Sequence, residues 1–364
     1  MAAIVILLLL VVGCVHGEPA APVVDRPHGP LTPSLPRRLT YNPADDRTAS
    51  WLPGGAEVVY SSEREDHADH DRCLRILAPD AGTVRRSICP PLASHDDSTD
   101  VFEAPAVSTD GRIAYLRVVS RIGQQKLGTA ALVVASMADP TGGSVVTPIP
   151  YRAPSGRMHS SVGYLHWLEP GVLVYLGQHL FYQGSTFFPD TFVTGVEVMR
   201  VDVRGPSPTF EAIPGTEHAS SVSVADDGAL VYTLGGDSRV YRRDPTSGAT
   251  AVLYDFGPGH VVRDAEVRGN RLVAVVDGSV LFQHEPANGF VQRDEGGDLH
   301  FVNLAAGAAS AIATDTVLFR RPRLAPAGDR VVVEASPWAP VHVGPDSDYN
   351  ATNHRVDLWL FEVP

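Results

Sequence analysis

The sequence predicts an all-β fold, a six-bladed β-propeller closed by an N-terminal strand. A phrase made of a strand-like run, a tight turn ending in Gly and an apolar β-run occurs six times. Its turn glycines are 56, 60, 57, 41 and 59 residues apart, at Gly55, Gly111, Gly171, Gly228, Gly269 and Gly328. A β unit repeated at about this period predicts a solenoid or a propeller rather than one unique core. The 33 Gly and 30 Pro are typical of a turn-rich β protein.

The last repeat predicts how the ring closes. It ends at Pro364 after only three strand-like runs, whereas the earlier repeats supply four. The segment Arg37–Asn42 has no other assignment, so we expect it to provide the missing strand, with Leu39–Tyr41 pairing with Leu358–Phe361. A ring closed in this way leaves no open sheet edge.

Residues 1–17 predict an export signal. Ala2–Val12 is an unbroken apolar run, too short to span a bilayer but typical of the core of a signal peptide. Val11-Val12-Gly13-Cys14 resembles a bacterial lipobox, which implies lipidation of Cys14; ordinary secretion with cleavage after Gly17 is the alternative. Val15 after the cysteine implies, by the same resemblance, an outer-membrane lipoprotein in a Gram-negative cell.

Three segments follow from this interpretation. Residues 1–17 are the signal peptide and lipobox region, residues 18–36 are a Pro-rich extended tether, and residues 37–364 are the propeller. We expect an exported protein in the periplasm or at the cell surface, attached to the membrane only through its lipid.

Two cysteines remain after the signal. Cys73 and Cys89 are equidistant from Ala81, the midpoint of a predicted hairpin, so they are expected to lie opposite each other across two antiparallel strands. We predict a disulfide, which suits an oxidising compartment and closes a loop of about 15 residues, worth about 3 kcal/mol in the chain-entropy model. Two reduced, buried cysteines are the alternative.

The charge balance excludes one class of partner. The formal net charge is −13, and a single Lys accompanies 28 Arg. Nucleic-acid binding needs clustered cations, so we expect no nucleic-acid partner. The acidic surface is explained by solubility, and we expect a monomer.

The repeats resemble those of TolB-type six-bladed propellers, which are PD40- or WD40-like. The resemblance rests on the turn phrase, on its apolar run and on DLHFVNL at Asp298–Leu304 and DLWLFEV at Asp357–Val363. It covers about residues 37–364 and implies the fold. TolB normally carries an additional N-terminal α/β domain, and here a tether takes that place. Such propellers serve as scaffolds, as enzymes and as gating domains, so the resemblance does not assign a function.

Aromatic residues are concentrated in two long connections between the second and third strands of a repeat. Such connections are predicted at Glu63–Asp71, Gly177–Gly195, Ser279–Gly297 and Ser336–Val356, and long loops on a rigid scaffold are where binding is common. The predicted partner-binding residues are Phe181, Tyr182, Phe187, Phe188, Phe192, Trp338 and Tyr349. A loop folded onto its own small core is the alternative for the aromatic run.

Histidines and acids provide two candidate metal sites. His67, Asp69, His70 and Asp71 offer imidazole and carboxylate ligands for a divalent cation, although short runs of this kind are mostly solvated. The connections between repeats contain four histidines that would surround the channel mouth: His95, His159, His218 and His260. No other cofactor is predicted.

The sequence lacks an evident set of catalytic groups. It has no Gly-x-Ser-x-Gly, and its single lysine, Lys126, excludes most Ser–Lys arrangements. We therefore predict a non-catalytic cell-envelope scaffold whose long loops bind an envelope protein or a glycan. The alternative is a metal-assisted polysaccharide lyase or hydrolase with its site at the channel mouth.

Overall fold

The structure, a computed structural model, describes thirteen segments of the chain. They are residues 36–41, 45–63, 71–91, 98–121, 129–149, 151–152, 158–161, 164–185, 188–277, 280–284, 291–312, 317–337 and 356–364. The regular structure within these segments consists of β-strands, in agreement with the predicted all-β class. In this part of the chain, no helix is long and apolar enough to cross a membrane.

The strands follow the predicted repeats. The N-terminal strand and those of the first three repeats are β1 Arg37–Arg38, β2 Asp46–Trp51, β3 Val58–Glu63, β4 Arg72–Ala78, β5 Thr83–Ile88, β6 Ser98–Val107, β7 Arg112–Arg121, β8 Thr129–Ser136, β9 Ser144–Ile149, β10 Tyr151–Arg152, β11 Met158–Ser161, β12 His166–Glu169, β13 Val172–Ser185, β14 Phe188–Asp202 and β15 Thr209–Ala212. The remaining strands are β16 Ala219–Val224, β17 Leu230–Leu234, β18 Arg239–Arg243, β19 Thr250–Asp255, β20 Val262–Arg268, β21 Arg271–Val276, β22 Val280–His284, β23 Val291–Glu295, β24 Asp298–Asn303, β25 Ala308–Ile312, β26 Val317–Leu324, β27 Arg330–Pro337 and β28 Asp357–Glu362.

Each repeat forms an antiparallel sheet whose strands pair largely in chain order. The fourth repeat pairs as β16-β17-β18-β19, the fifth as β20-β21-β24-β25, and the sixth as β26-β27-β28-β1. The first two repeats share one sheet through a single parallel pairing of Arg72 with Val101. In the third repeat, β13 pairs with β12, β11 and β14, and β14 pairs with β15. The hairpin β22–β23 is the extra hairpin expected in the fifth repeat.

The turn between the first two strands of each repeat has the expected backbone. Its glycine has a positive φ of 69°, 81°, 86°, 79°, 54° and 71° at Gly55, Gly111, Gly171, Gly228, Gly269 and Gly328. A side chain in this region is strained, which explains why Gly stands at this point of every repeat. The prediction of one repeated turn is confirmed.

The first strand of each repeat contacts the first strands of two other repeats. The contacts run in the order β2, β6, β12, β16, β20, β26 and back to β2. We call these the inner strands. Clusters of buried apolar side chains join neighbouring repeats in the same way, from Val59 with Ile113 between the first and second repeats to Trp51 with Leu358 between the first and the last. The other clusters join the second to the third, the third to the fourth, the fourth to the fifth and the fifth to the sixth.

The first repeat contains the predicted cysteine-bridged hairpin. Cys73 and Cys89 form a disulfide with their Cα atoms 4.3 Å apart. The ladder of β4 and β5 pairs Leu74 with Ile88, so the cysteines are the next opposite positions along the two strands. The symmetry of the hairpin about its turn therefore predicted the pairing.

The third repeat differs from its prediction. The connection 177–195 was expected to be a loop, but β13 and β14 remain paired from Val172 opposite Asp202 to Ser185 opposite Phe188. The loop prediction was wrong. Gly and Pro in this segment are typical of loops, but here they occur within paired strands. In the structure β11 pairs with β13 at 177–180, which supports the extended hairpin from the side. We call residues 177–185 and 188–197 the hairpin arm.

The N-terminal strand lies beside the last strand of the chain. Arg37 is opposite Leu360 in the antiparallel pair of β1 and β28. Beyond this ladder the Leu39 amide donates to the Leu358 carbonyl at 2.7 Å, and the Leu358 amide donates to Thr40 Oγ1 at 3.0 Å. Leu39 is buried. The N-terminal segment thus pairs with β28 as expected, but the ladder is formed by Arg37 and Arg38 and begins two residues before the predicted Leu39–Tyr41.

Candidate functional site

Buried polar side chains occur two residues apart on three of the inner strands. Asp264 and Glu266 are each 2% exposed and Arg323 is 6% exposed. Asp264 and Glu266 are two residues apart on β20 and so lie on the same side of that strand. We call Tyr164, Asp264 and Arg321, which interact with one another, the inner layer, and His166, Glu266 and Arg323, which line a cavity, the cavity layer.

The inner layer contains a buried ion pair. Nη1 of Arg321 is 3.0 and 3.2 Å from the two carboxylate oxygens of Glu334, and the Thr48 amide donates to the same carboxylate at 2.7 Å. Burial acts to raise the pKa of Glu334, but Arg321, Arg320 and the Thr48 amide outweigh it and the pKa is lowered. Burial of this carboxylate is therefore compensated by a cation and a backbone donor.

Three inner strands contain a non-glycine residue with a left-handed backbone at the same place. Thr48, Ala104 and Arg321 have φ of 54°, 50° and 46°, and each stands seven residues before the turn glycine of its repeat. The Ala104 amide donates to Thr48 Oγ1 at 3.1 Å, and the Thr48 amide donates to Glu334. These bends interrupt the strand ladders, and their amides link three neighbouring repeats.

Asp264 is the acid of the inner layer. Burial raises its pKa to about 6, although Arg323, the Tyr164 hydroxyl and Arg321 act in the opposite direction. The same burial, with Asp264 beside it, raises the pKa of Tyr164. Arg321 and Arg323 both face the Tyr164 ring, at 5.9 and 5.6 Å from its centroid.

A cavity of about 290 Å³ opens beyond the cavity layer. All six repeats line it with residues at the end of the inner strand or in the turn that follows; these include Trp51, Ala106, His166, Val224, Glu266 and Arg323. The inner strand and the following turn of each repeat therefore form the cavity wall. It lies at the turn end of the inner strands, and its lining contains no residue of the connections that were expected to carry function.

Two tryptophans form part of the cavity wall. The indole N–H of Trp51 donates to the Arg323 carbonyl at 2.8 Å, and that of Trp167 donates to the Ala106 carbonyl at 3.0 Å. Because both N–H groups are used within the protein, the tryptophans contribute ring carbon to the wall and also tie neighbouring inner strands together.

Glu266 is the buried acid beside the cavity. Arg268 Nη2 lies 3.1 Å from its Oε1, and the Leu324 amide donates to its Oε2 at 3.0 Å. Arg323 Nη1 is 4.0 Å from Oε2, at the outer limit of an ion pair. Glu266 is therefore bound mainly by Arg268 and by a backbone amide of the next repeat.

Arg323 and His166 have few hydrogen-bond partners among the described residues. Within the described segments, the one hydrogen bond of the Arg323 side chain runs from Nη1 to the Pro322 carbonyl at 3.2 Å. Nε2 of His166 is buried and has no partner among the same residues. Burial, followed by Arg323 and Arg268, lowers the pKa of His166 well below its ordinary value, so the ring is neutral at pH 7.

The structure describes one of the four predicted metal ligands. Asp71 is fully buried, and its Oδ1 accepts a hydrogen bond from the Asp100 amide at 2.6 Å. His67, Asp69 and His70 lie outside the described residues. Among the residues that are described, no group of three or more His, Cys, Asp or Glu has a metal-binding arrangement.

Two of the four predicted channel histidines have described side chains. His218 is exposed and has a left-handed φ of 68°. Nδ1 of His260 lies 2.6 Å from Asp277 Oδ2, and both groups are partly exposed. His159 is described only through its backbone, opposite His179 in the ladder of β11 and β13, and His95 lies outside the described residues.

The predicted aromatic residues are partly described. Phe181 is opposite Phe192 and Tyr182 is opposite Thr191 in the hairpin arm, and Phe188 is opposite Ser185 at its end. Phe187, Trp338, Tyr349 and the lipidation candidate Cys14 lie outside the described residues. Partner binding and lipidation therefore stay predictions.

The cavity residues were not among the predicted functional residues. His166, Glu266 and Arg323 belong to the phrase that predicted the fold, and they were treated as scaffold. The available signal was a charged or imidazole group within an otherwise apolar inner strand, since such groups are seldom buried without a partner or a role.

Comparisons with known proteins support the fold. A gluconolactonase from Xanthomonas campestris aligns with 94% of this chain and 99% of its own, at 14% identity and a TM-score of 0.52. Regucalcin, a calcium-binding protein from Agrobacterium tumefaciens, aligns with 90% of this chain and 94% of its own, at 12% identity and a TM-score of 0.51. At such identities the likeness shows the all-β propeller fold alone.

Three further comparisons add no assignment. TolB from Acinetobacter baumannii aligns with 84% of this chain and 63% of its own at 15% identity. The TM-score of 0.45 is too low to support an inference about this chain. No protein-family model matches the chain, and no curated protein sequence matches it.

Proposed function

We propose that the chain forms a six-bladed ring closed by its N-terminal strand and acts as a non-catalytic binding protein of the cell envelope. The cyclic order of inner-strand contacts supports the ring, as does the apolar cluster that unites Leu39, Trp51 and Leu358. In this ring β1 completes the sixth blade.

The observation that carries the binding function is the hairpin arm. β13 and β14 contain 14 and 15 residues, whereas the corresponding strands of the fourth repeat, β17 and β18, contain 5 each. At about 3.3 Å per residue, the arm extends roughly 30 Å past the length of those strands. The arm is paired along its length, so a partner would bind an extended hairpin rather than an unpaired loop.

The composition of the arm indicates the kind of partner. It contains the predicted binding residues Phe181, Tyr182, Phe188 and Phe192. Aromatic residues are enriched in protein interfaces, where a few of them supply most of the binding energy. We therefore propose that the arm binds an envelope protein. A glycan partner would use the same aromatic surface.

Export and lipidation belong to the same proposal. The lipobox-like Val11–Cys14 supports a lipid anchor on Cys14, and the Cys73–Cys89 disulfide suits an oxidising compartment. A membrane-anchored protein in the periplasm or at the cell surface has access to envelope partners. Metabolic labelling with a fatty acid tests the anchor, because Cys14→Ser is expected to abolish the label.

Capture experiments with matched variants test partner binding. Replacing residues 180–194 with Asn-Gly joins His179 to Gly195, which are opposite each other in the ladder, through a two-residue turn. We expect this shortened protein to keep the wild-type unfolding midpoint and to lose a membrane protein that the wild type captures. Phe181→Ser with Phe192→Ser is expected to have the same effect.

Phe210→Ser provides the control, since Phe210 is an exposed aromatic residue on β15 outside the arm. Equal capture by the wild type and the shortened protein would contradict the proposal. The alternative of a metal-assisted lyase or hydrolase makes a different prediction, a stoichiometric metal in the purified protein together with release of products from a polysaccharide.

A further inference from the structure

A second cavity, a groove, lies between the glycine turns of the first and second repeats. Its volume is about 320 Å³, and Glu57 alone is charged among the described residues that line it. Leu52, Val107 and Met137 line the groove and are only partly buried, although they pack against the apolar cluster that joins the two repeats. They therefore leave apolar surface open in the groove, as in many ligand-binding clefts. We call this cavity the turn groove.

Gly54 lines the turn groove without being required by its backbone or its packing. Its φ is outside the left-handed region, and a Cβ placed on it would have no atom of a non-neighbouring residue within 4 Å. The neighbouring Gly55 differs, because its φ of 69° does favour glycine. The missing side chain of Gly54 therefore leaves space in the groove that a larger residue would fill.

The N-terminal strand enters the ring beside the turn groove. Nη2 of Arg37 donates to the carbonyl of Pro79, in the turn between β4 and β5, at 2.6 Å. Arg330 donates from Nη1 to Asp80 of the same turn at 2.7 Å and from Nη2 to the Gly55 carbonyl at 3.2 Å. One guanidinium group thus connects the turn beside Arg37 to the glycine turn that lines the groove. The chain that precedes Arg37 therefore starts next to the groove.

The segment before Arg37 has regularly spaced prolines. Pro27, Pro30, Pro33 and Pro36 are three residues apart, and a polyproline II helix has three residues per turn, so in that conformation they lie along one edge. At about 3.1 Å per residue, residues 27–36 would extend roughly 30 Å. Residues 27–35 lie outside the described residues. A stiff segment of this kind loses little conformational entropy when it binds an apolar groove.

We propose that residues 27–36 bind in the turn groove of their own chain as a polyproline II segment, with the proline edge against Leu52, Val107 and Met137. The covalent connection favours this occupant, because a segment attached beside its site meets it at a high effective concentration. Residues 18–26 then form the free part of the predicted tether. The inference does not rest on the binding function proposed for the hairpin arm.

Photochemical cross-linking in the full chain tests this proposal. Leu31, which follows Pro30 in the proposed segment, is replaced by the photoreactive residue p-benzoylphenylalanine. After illumination of the purified protein, mass spectrometry identifies the residues joined to position 31. We expect a product within one chain, at a yield independent of protein concentration, that joins position 31 to residues 52–57, to residues 107–111 or to Met137.

Two variants and one control assign the contact. Gly54→Leu fills the groove and is expected to abolish the product, and Pro30→Gly with Pro33→Gly removes the stiffness of the segment and should lower its yield. Gly205→Leu is the control, because Gly205 also has a φ outside the left-handed region, with its nearest contact at 3.5 Å, and lies outside the groove lining. It should leave the product unchanged.

Several results would overturn the proposal. They are the absence of a product, a product that maps to another part of the ring, a product between two chains, or an unchanged product in Gly54→Leu. A product between two chains would identify a second copy as the occupant. If Gly54→Leu does not fold, the site of the cross-link and the proline variant, which changes only residues outside the ring, decide the outcome. None of these results depends on partner capture by the hairpin arm.

Discussion

At the scale of single residues, buried charged groups connect neighbouring repeats. Glu334 joins Arg321 on its own sheet to the Thr48 amide of the first repeat, and Glu266 joins Arg268 to the Leu324 amide of the sixth. Each carboxylate thus links two repeats that apolar packing alone would hold less specifically. Asp264 differs from them, because burial leaves it with a pKa of about 6.

Asp264 predicts a pH-dependent stability. Its pKa of about 6 in the folded protein lies above the ordinary value of 3.8, so the folded state binds the proton more tightly. Stability is therefore lost as the pH rises from about 4 through 6. Asp264→Asn should be more stable than the wild type by about 2–3 kcal/mol at pH 7.5 and nearly equal to it at pH 4.

Urea unfolding at both pH values provides the measurement for Asp264→Asn. The low pKa of His166 acts on both proteins and cancels in their difference. Asp110→Asn is the matched control, because its hydrogen bond with Arg112 lowers the pKa of Asp110 and this substitution should give no gain at pH 7.5. A difference independent of pH would contradict the role of Asp264.

At the scale of the structural elements, two hairpins show how well local sequence predicts local structure. The β4–β5 hairpin was predicted with its disulfide, since the cysteines are symmetric about the turn and turn geometry sets strand register. The hairpin arm was predicted as a loop, although β13 and β14 stay paired. Its pairing is supported by β11, a neighbour that the local sequence does not reveal.

The disulfide should stabilise the first repeat. It closes a loop with a sequence separation of 16 residues, and the chain-entropy model assigns about 3 kcal/mol to a loop of this length. We expect the double substitution Cys73→Ala with Cys89→Ala to lower the free energy of unfolding by about this amount. The measurement is urea unfolding without reductant.

Reductant serves as the internal control for the disulfide. Dithiothreitol should lower the unfolding midpoint of the wild type and leave that of the double variant unchanged. A midpoint that is equal in the wild type and the double variant would show that the disulfide makes no contribution to stability.

At the scale of the whole molecule, the proposed ring depends on contacts between the two ends of the chain. Leu39 packs with Trp51, Leu358 and Leu360 in the cluster between the first and last repeats. Arg38 is also 2.6 Å from Asp357. These contacts join residues more than 300 positions apart in the chain, so a substitution at the closing strand tests whether the two ends meet.

Leu39→Ala tests this closure in the full chain. Truncating a buried Leu costs about 2–5 kcal/mol, and we expect a loss in this range in the free energy of unfolding. Val145→Ala is the control because Val145 is 59% exposed on β9, and it should change stability by less than about 0.5 kcal/mol. Equal stability of Leu39→Ala and the wild type would argue against closure by β1.

The sequence by itself determined the all-β class, the repeated turn and the Cys73–Cys89 pairing, because each depends on residues close together in the chain. Only the tertiary structure decided which polar residues of the repeats meet. His166, Glu266 and Arg323 come from the third, fifth and sixth repeats and line one cavity with residues of the other three. Their spacing in the sequence does not predict that they lie together, because the contacts between inner strands bring them to one cavity.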